Sequence, residues 1–185
     1  MKKIFSVSLF VLAIYSTNAF SSSVFSASSE EIKMGTKITN KYVFNGFGCS
    51  GKNISPEISW KNAPEGTKSF AITVYDPDAP TGSGWWHYLA VNIPVNYNSL
   101  PSNFGKKNSF KTTDNILQIR NDFGIRNFGG PCPPQGDKPH RYIWTIHALS
   151  VEKLEISEDA TAALAGFMIN ANSIAKANLE AFYSR

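Results

Sequence analysis

The sequence predicts a mainly β protein, an antiparallel β-sandwich with helical decoration towards its C terminus. Two observations carry this. Through residues 1–150, runs of β-branched and aromatic residues stop at clusters of Pro, Gly, Asn and Asp. After Val151 the pattern changes, and Ala160, Ala163, Leu164, Phe167, Met168 and Ala171 recur at helical spacing. Many strands followed by a terminal helix suit a layered antiparallel fold better than a repeated parallel unit.

The first element is not part of that fold. Lys2 and Lys3 precede an apolar stretch over residues 4–15 and then the small residues Thr17, Asn18 and Ala19. This reads as a secretory signal peptide, residues 1–19, cleaved after Ala19. A membrane span needs about 20 apolar residues, and this stretch is much shorter. The expected product is an exported chain, periplasmic or secreted, without stable membrane insertion. Residues 20–185 are read as one domain, with no linker or internal repeat. About 165 residues suffice for a real core.

Among the strands, residues 68–75, 86–93 and 142–149 are apolar enough to lie inside a sheet, whereas 36–44 and 57–60 are weaker candidates. In a strand starting near Tyr142, side chains alternate. Tyr142, Trp144 and Ile146 share one face, and Ile143, Thr145 and His147 share the other. His147 is therefore read as a core histidine outside any site. Ser157 is the expected cap of the helix. From Ile174 onward, helix and strand compete, because Ala177, Leu179 and Ala181 also alternate.

The net charge is +4 and falls to +2 once Lys2 and Lys3 are removed. Lys106, Lys107 and Lys111 form the one loose basic cluster, read as a solvated loop. Without a basic stripe, nucleic acid is not an expected partner. Cys49 and Cys132 mature in an oxidising compartment, so a disulfide is expected. Such a bond would restrict the unfolded chain by roughly 4 to 5 kcal/mol in the entropic picture. Two free buried thiols, or Cys132 as a nucleophile paired with a histidine, are the rival readings. Flanked by Pro131 and Pro133, Cys132 has no helix N terminus to lower its pKa.

The chemistry concentrates in two segments, DPDAPTGSGWWH at 76–87 and GGPCPPQGDKPHRY at 129–142. Each places a histidine, His87 or His140, at or next to the start of a strand. If those strands lie side by side, the two imidazoles meet at one end of the sheet, where Asp76 or Asp78 would orient one and favour its charged form. Gly129, Gly130 and Gly136 would let backbone amides approach a ligand, and Pro131, Pro133 and Pro134 would stiffen the turn. An anion pocket follows as the expectation. A zinc site from Asp76, His87 and His140 is chemically adequate but lacks a familiar metal spacing, and no metal or other cofactor is expected. Neither GxxxxGK[ST] nor GxGxxG occurs at a strand-to-helix turn.

DPDAP at 76–80, WWH at 85–87, and GPCPP with HRY at 140–142 resemble the signature of phosphatidylethanolamine-binding proteins. With NISPEISW at 53–60 and RNDFG at 120–124, the chain is more narrowly similar to the bacterial Raf-kinase-inhibitor-like branch, the YbhB/YbcL type. The resemblance implies a β-sandwich with peripheral helices and a small pocket for phosphate, acetate or a phosphorylated head group. Carried over, the ligand-binding residues are Asp76, His87, His140 and Tyr142, with Gly130, Pro133 and Pro134 as the rim. Asp78 and Pro80 would shape the turn, with Ala79–Pro80 a candidate cis peptide. The segment 81–84 is shorter than the matching insertion of eukaryotic members, so a wider mouth is expected. The implied function is a non-enzymatic binding protein for a small anion or phosphorylated ligand. A protein-interaction or inhibitor role, or a secreted effector, is the alternative, and a metal-assisted hydrolase is a third.

Overall fold

The computed structural model describes residues 23–112 and 114–185, so the expected signal peptide and its cleavage point lie outside the described residues. In chain order the elements are β1 (Ser26–Ser28), β2 (Asn45–Gly46), β3 (Cys49–Ser50), β4 (Ile58–Lys61), β5 (Ser69–Asp76), β6 (Trp85–Pro94), β7 (Ser99–Leu100), β8 (Leu117–Gln118), β9 (His140–Leu149), α1 (Ala162–Asn172) and β10 (Ser173–Tyr183). The central antiparallel sheet runs β10-β9-β5-β6-β8, a second sheet runs β1-β4-β7, and β2 pairs with β3 as a short hairpin.

Both faces of the central sheet are covered, which is why its inner strands are almost continuously apolar. One face packs Phe70, Ile72, Val74, Tyr142, Trp144 and Ile146 against Ile58 and Trp60 of β4 and Leu100 of β7. The other packs Ala71, Leu89 and Val91 under Ala162, Ala165 and Ile169 of α1. The architecture is a β-sandwich with one helix on its outer face.

The three strong strand expectations fall on β5, β6 and β9, and 57–60 falls on β4. Residues 36–44 do not form a strand. Lys37 makes a single bridge to Phe182, and Tyr42 N–H already bonds back to the Thr39 carbonyl, closing a turn. The helix begins later than expected, because Thr161 is its cap and accepts from Leu164 N–H at 3.1 Å. Ser157 instead accepts from Asp159 N–H in the preceding turn. The ambiguous C-terminal segment is a strand, paired with β9 from Leu149 to His140. Its alternation decides this, since Ala177, Leu179 and Ala181 are buried in the core between the sheets. No cis peptide occurs among the described residues, so Ala79–Pro80 is trans.

Cys49 and Cys132 are joined by a disulfide with Cα atoms 6.0 Å apart. The bond ties the β2–β3 hairpin to the turn that precedes β9.

Candidate functional site

At one end of the central sheet, the last residue of β5, the first residues of β6 and β9 and their approach turns enclose a cavity of about 210 Å³. Strands β6 and β9 are not neighbours, as β5 lies between them. Asp76, at the end of β5, is thereby set between the two histidines. Asp76, His87, Pro133, Pro134, His140 and Tyr142 all line the cavity, with Phe47, Trp85 and Phe123 around them. None of the lining residues is Lys or Arg.

His87 owes its position to a fault in the ladder. Val74 faces Tyr88 and Tyr75 faces Trp86, so His87 is the extra residue of a β-bulge, a device that re-aims a side chain. Its ring is held edge-on by Phe123 at 5.2 Å and by Tyr142 at 5.1 Å between centroids. Nδ1 donates to the Gly129 carbonyl at 2.7 Å. The RNDFG segment supports this bulge from below. Asn121 donates to the His87 carbonyl at 2.8 Å, and Asp122 accepts from Trp86 N–H at 2.7 Å.

The two histidines are not equivalent. Burial pushes His87 down to about 4, against the weaker upward pull of the Gly129 carbonyl and Asp76. The histidine that a carboxylate was expected to charge is thus not His87: near neutral pH, His87 is an uncharged ring whose single proton points away to Gly129. His140 is buried too, but Nδ1 faces Asp76 Oδ2 at 2.8 Å and Nε2 faces Asp137 Oδ2 at 3.3 Å. Both contacts are hydrogen bonds only while the ring carries two protons.

Two donors in the cavity wall are buried without a hydrogen-bond partner among the described residues, the Tyr142 hydroxyl and Trp85 Nε1. Burial raises the Tyr142 hydroxyl far above its ordinary value, and Asp76 adds to this, so it remains a donor. Orphaned polar groups are costly and uncommon in folded proteins, and two of the four among the described residues, the others being Trp60 Nε1 and Thr112 Oγ1, belong to this cavity's wall.

The glycine amides do something other than expected. Gly130 does not line the cavity. Its N–H donates to Asn53 Oδ1 at 2.7 Å, and a Cβ there would collide with the Tyr42 carbonyl. Gly129 N–H bonds the His87 carbonyl, and Gly136 N–H bonds the Arg185 carbonyl. All three amides are spent on the scaffold. Asp78 is a clamp: it accepts from Arg141 N–H and Nε at 2.9 Å and from its second guanidinium nitrogen at 3.0 Å. That guanidinium holds the Asp78 carboxyl down to about 2. Pro80 lies in the cavity wall itself. Among the described residues, no group of three or more His, Cys, Asp or Glu side chains is placed to hold a metal ion.

Sequence reasoning missed Trp85, Phe47 and Phe123 as cavity residues, and Asp137 as the partner of His140. WWH and RNDFG contained two of them, yet neither segment says that its aromatic ring turns inward. Phe47 is 67% exposed and packs 5.7 Å from Phe123 at the mouth, so the opening is aromatic on one side.

A β-sandwich with a His/Asp/Tyr cavity at the end of its main sheet defines a class of small-ligand-binding scaffold. The family model described as phosphatidylethanolamine-binding protein matches residues 28–184. This chain belongs to that family. It is 50% identical over 173 residues to UPF0098 protein YbcL of Escherichia coli, covering 94% of both chains, and 46% identical over 156 residues to UPF0098 protein YbhB of the same organism, covering 84% of this chain and 98% of that one. The crystal structure of E. coli YbcL superposes with a TM-score of 0.83 at 51% identity, covering 87% of this chain and 98% of the other. A homologue from Chlamydia trachomatis superposes at 0.70 with 28% identity, covering 87% and 97%.

Proposed function

We propose that this protein is an exported, non-enzymatic binding protein whose cavity takes a small anion or a phosphorylated head group. The observation that carries the reading is the pair of buried, unpartnered donors, Tyr142 hydroxyl and Trp85 Nε1, in one wall of a cavity that ends on the Asp76–His140 pair. Unpaired donors in the wall of one cavity suit an oxyanion, and their cost in the free protein is offset on binding. Export rests on the N-terminal pattern of residues 1–19 and on the disulfide, which suits the periplasm or the exterior. The ligand is the principal partner in this reading, without nucleic acid.

The test is a titration of the purified protein with inorganic phosphate and with phosphoethanolamine, following the histidine ring signals by NMR. Saturable shifts of His87 and His140 that need about tenfold more ligand in Tyr142→Phe are expected. Shifts absent for both ligands reject the reading.

A second reading, docking of a protein partner at the cavity mouth, is favoured by the exposed Phe47 ring beside Phe123. It requires Phe47→Ser to abolish a complex that Tyr142→Phe leaves intact.

A further inference from the structure

Resting on the anion-binding reading above, we infer that the cavity selects a phosphate that still carries one proton, as its monoanion, over a tetrahedral dianion with no proton to give, such as sulfate. The cavity wall presents both donors and an acceptor. Tyr142 hydroxyl, which has the Asp76 carboxylate nearby but no formed hydrogen bond, and Trp85 Nε1 are donors left open in the cavity wall. His87 is the reverse. A carbonyl has no proton, so the 2.7 Å contact to Gly129 assigns the ring proton to Nδ1. Nε2 is left as the free nitrogen of a ring that lines the cavity, and it bears a lone pair. The ring cannot easily exchange its nitrogens, being held between Phe123 and Tyr142, while Asn121 anchors its backbone carbonyl. A ligand that satisfies this cavity must accept at one place and donate at another.

The charges around His87 favour the same ligand. Asp76 approaches from β5, His140 and Tyr142 from β9, and Asp137 from the turn before β9, while no Lys or Arg lines the cavity. Asp122 lies behind Trp86, where it accepts the backbone N–H, and Asp78 is neutralised by Arg141. A dianion would enter with two negative charges beside Asp76 and Asp137 and set an oxygen lone pair against the Nε2 lone pair. A monoanion brings one charge less and a hydroxyl that Nε2 accepts. Burial keeps His87 from supplying the missing proton itself, since it takes one up only near pH 4. Sites built around a ligand hydroxyl reject analogues lacking it strongly, because the buried group is then left unpaired.

The experiment is calorimetric titration of the purified protein with phosphate, phosphoethanolamine and sulfate at pH 5.5 and pH 8, at constant ionic strength. A phosphomonoester loses its second proton at about pH 6, whereas sulfate stays a dianion throughout. Sulfate therefore reports whatever pH does to the protein itself, and the phosphates report that plus the ligand's proton. The phosphate and phosphoethanolamine arms separate a free anion from an esterified head group. Expected at pH 5.5 is binding of one or both phosphates at least about tenfold tighter than sulfate, with that advantage shrinking by pH 8 about fivefold or more for phosphate and more steeply for phosphoethanolamine. His87→Gln, whose amide supplies an N–H, is expected to narrow the ratio by improving sulfate. Sulfate matching phosphate at pH 5.5, or an advantage that does not change with pH, overturns the inference and leaves the anion site standing. No binding of any of the three overturns both.

Discussion

His140 and Asp76 form a buried pair with Nδ1 2.8 Å from Oδ2, while the other nitrogen of the same ring lies 3.3 Å from Asp137. The two carboxylates differ in freedom. The Asp76 side chain is 4% exposed and also accepts Asp78 N–H, whereas that of Asp137 is 40% exposed. Asp137 thus sits as an internal anion on the nitrogen that an incoming anion would use. Asp137→Asn is expected to tighten phosphate binding about fivefold, the worth of about 1 kcal/mol for a partly exposed ion pair. Calorimetric titration reads this directly, and weaker or unchanged affinity would show that Asp137 does not compete.

Tyr142→Phe separates function from stability. The hydroxyl is buried with no partner, so its removal relieves a penalty of about 1 kcal/mol in the free protein. The phenyl ring left in its place would keep the edge-on contact with His87. The variant is expected to melt at the same temperature or higher and to bind phosphate about tenfold more weakly. A lower melting temperature would mean that the hydroxyl is already satisfied.

Much of the site was legible because the motifs hold residues that share a sheet end, as Asp76, His87, His140 and Tyr142 do. Their individual chemistry was not. What makes His87 a neutral acceptor is a carbonyl 42 positions away at Gly129 together with complete burial, and neither is a property of WWH. Asp137 reads in sequence as an ordinary turn residue beside Gly136, and only the fold turns it onto His140. Gly130 shows the converse: a glycine beside a binding turn looked like ligand access, but its small size serves the approach to the Tyr42 carbonyl. In the fold, the segment from Ile174 could not be decided locally. Its Ala-rich alternation suits either structure, and pairing with β9 selects the strand.

The disulfide supports the cavity mouth as well as the fold. It closes a separation of 83 residues and fixes the hairpin carrying Phe47 against the Pro133–Pro134 turn. Replacing both cysteines by Ser is expected to lower unfolding free energy by about 2 to 5 kcal/mol. Phosphate affinity should fall as well, because part of the cavity wall loses its tether. Urea unfolding and titration of the same sample test both, and unchanged affinity would assign the bond to stability alone.

Acid should weaken the fold through its buried histidines before its carboxylates matter. His147 lies on the other face of the sheet, where the Ser173 hydroxyl donates to the Ile169 carbonyl and so accepts from His147 Nδ1, and Thr73 donates to Nε2. Burial pushes His147 down to about 3 and His87 to about 4, from an ordinary 6.5. Between these values the unfolded chain binds protons that the native chain refuses. Stability is therefore complete above pH about 6.5 and falls as pH drops towards 4, by about 3 kcal/mol for each histidine. Asp78, held down to about 2 by Arg141 from an ordinary 3.8, loses its contribution only below pH about 4. The histidine window is thus separate. Urea unfolding at pH 7, 5.5 and 4.5 should show the decline, and His147→Gln, which keeps a donor and an acceptor, should remove about half of it. A flat profile above pH 4.5 would mean that these rings take up protons inside the folded protein.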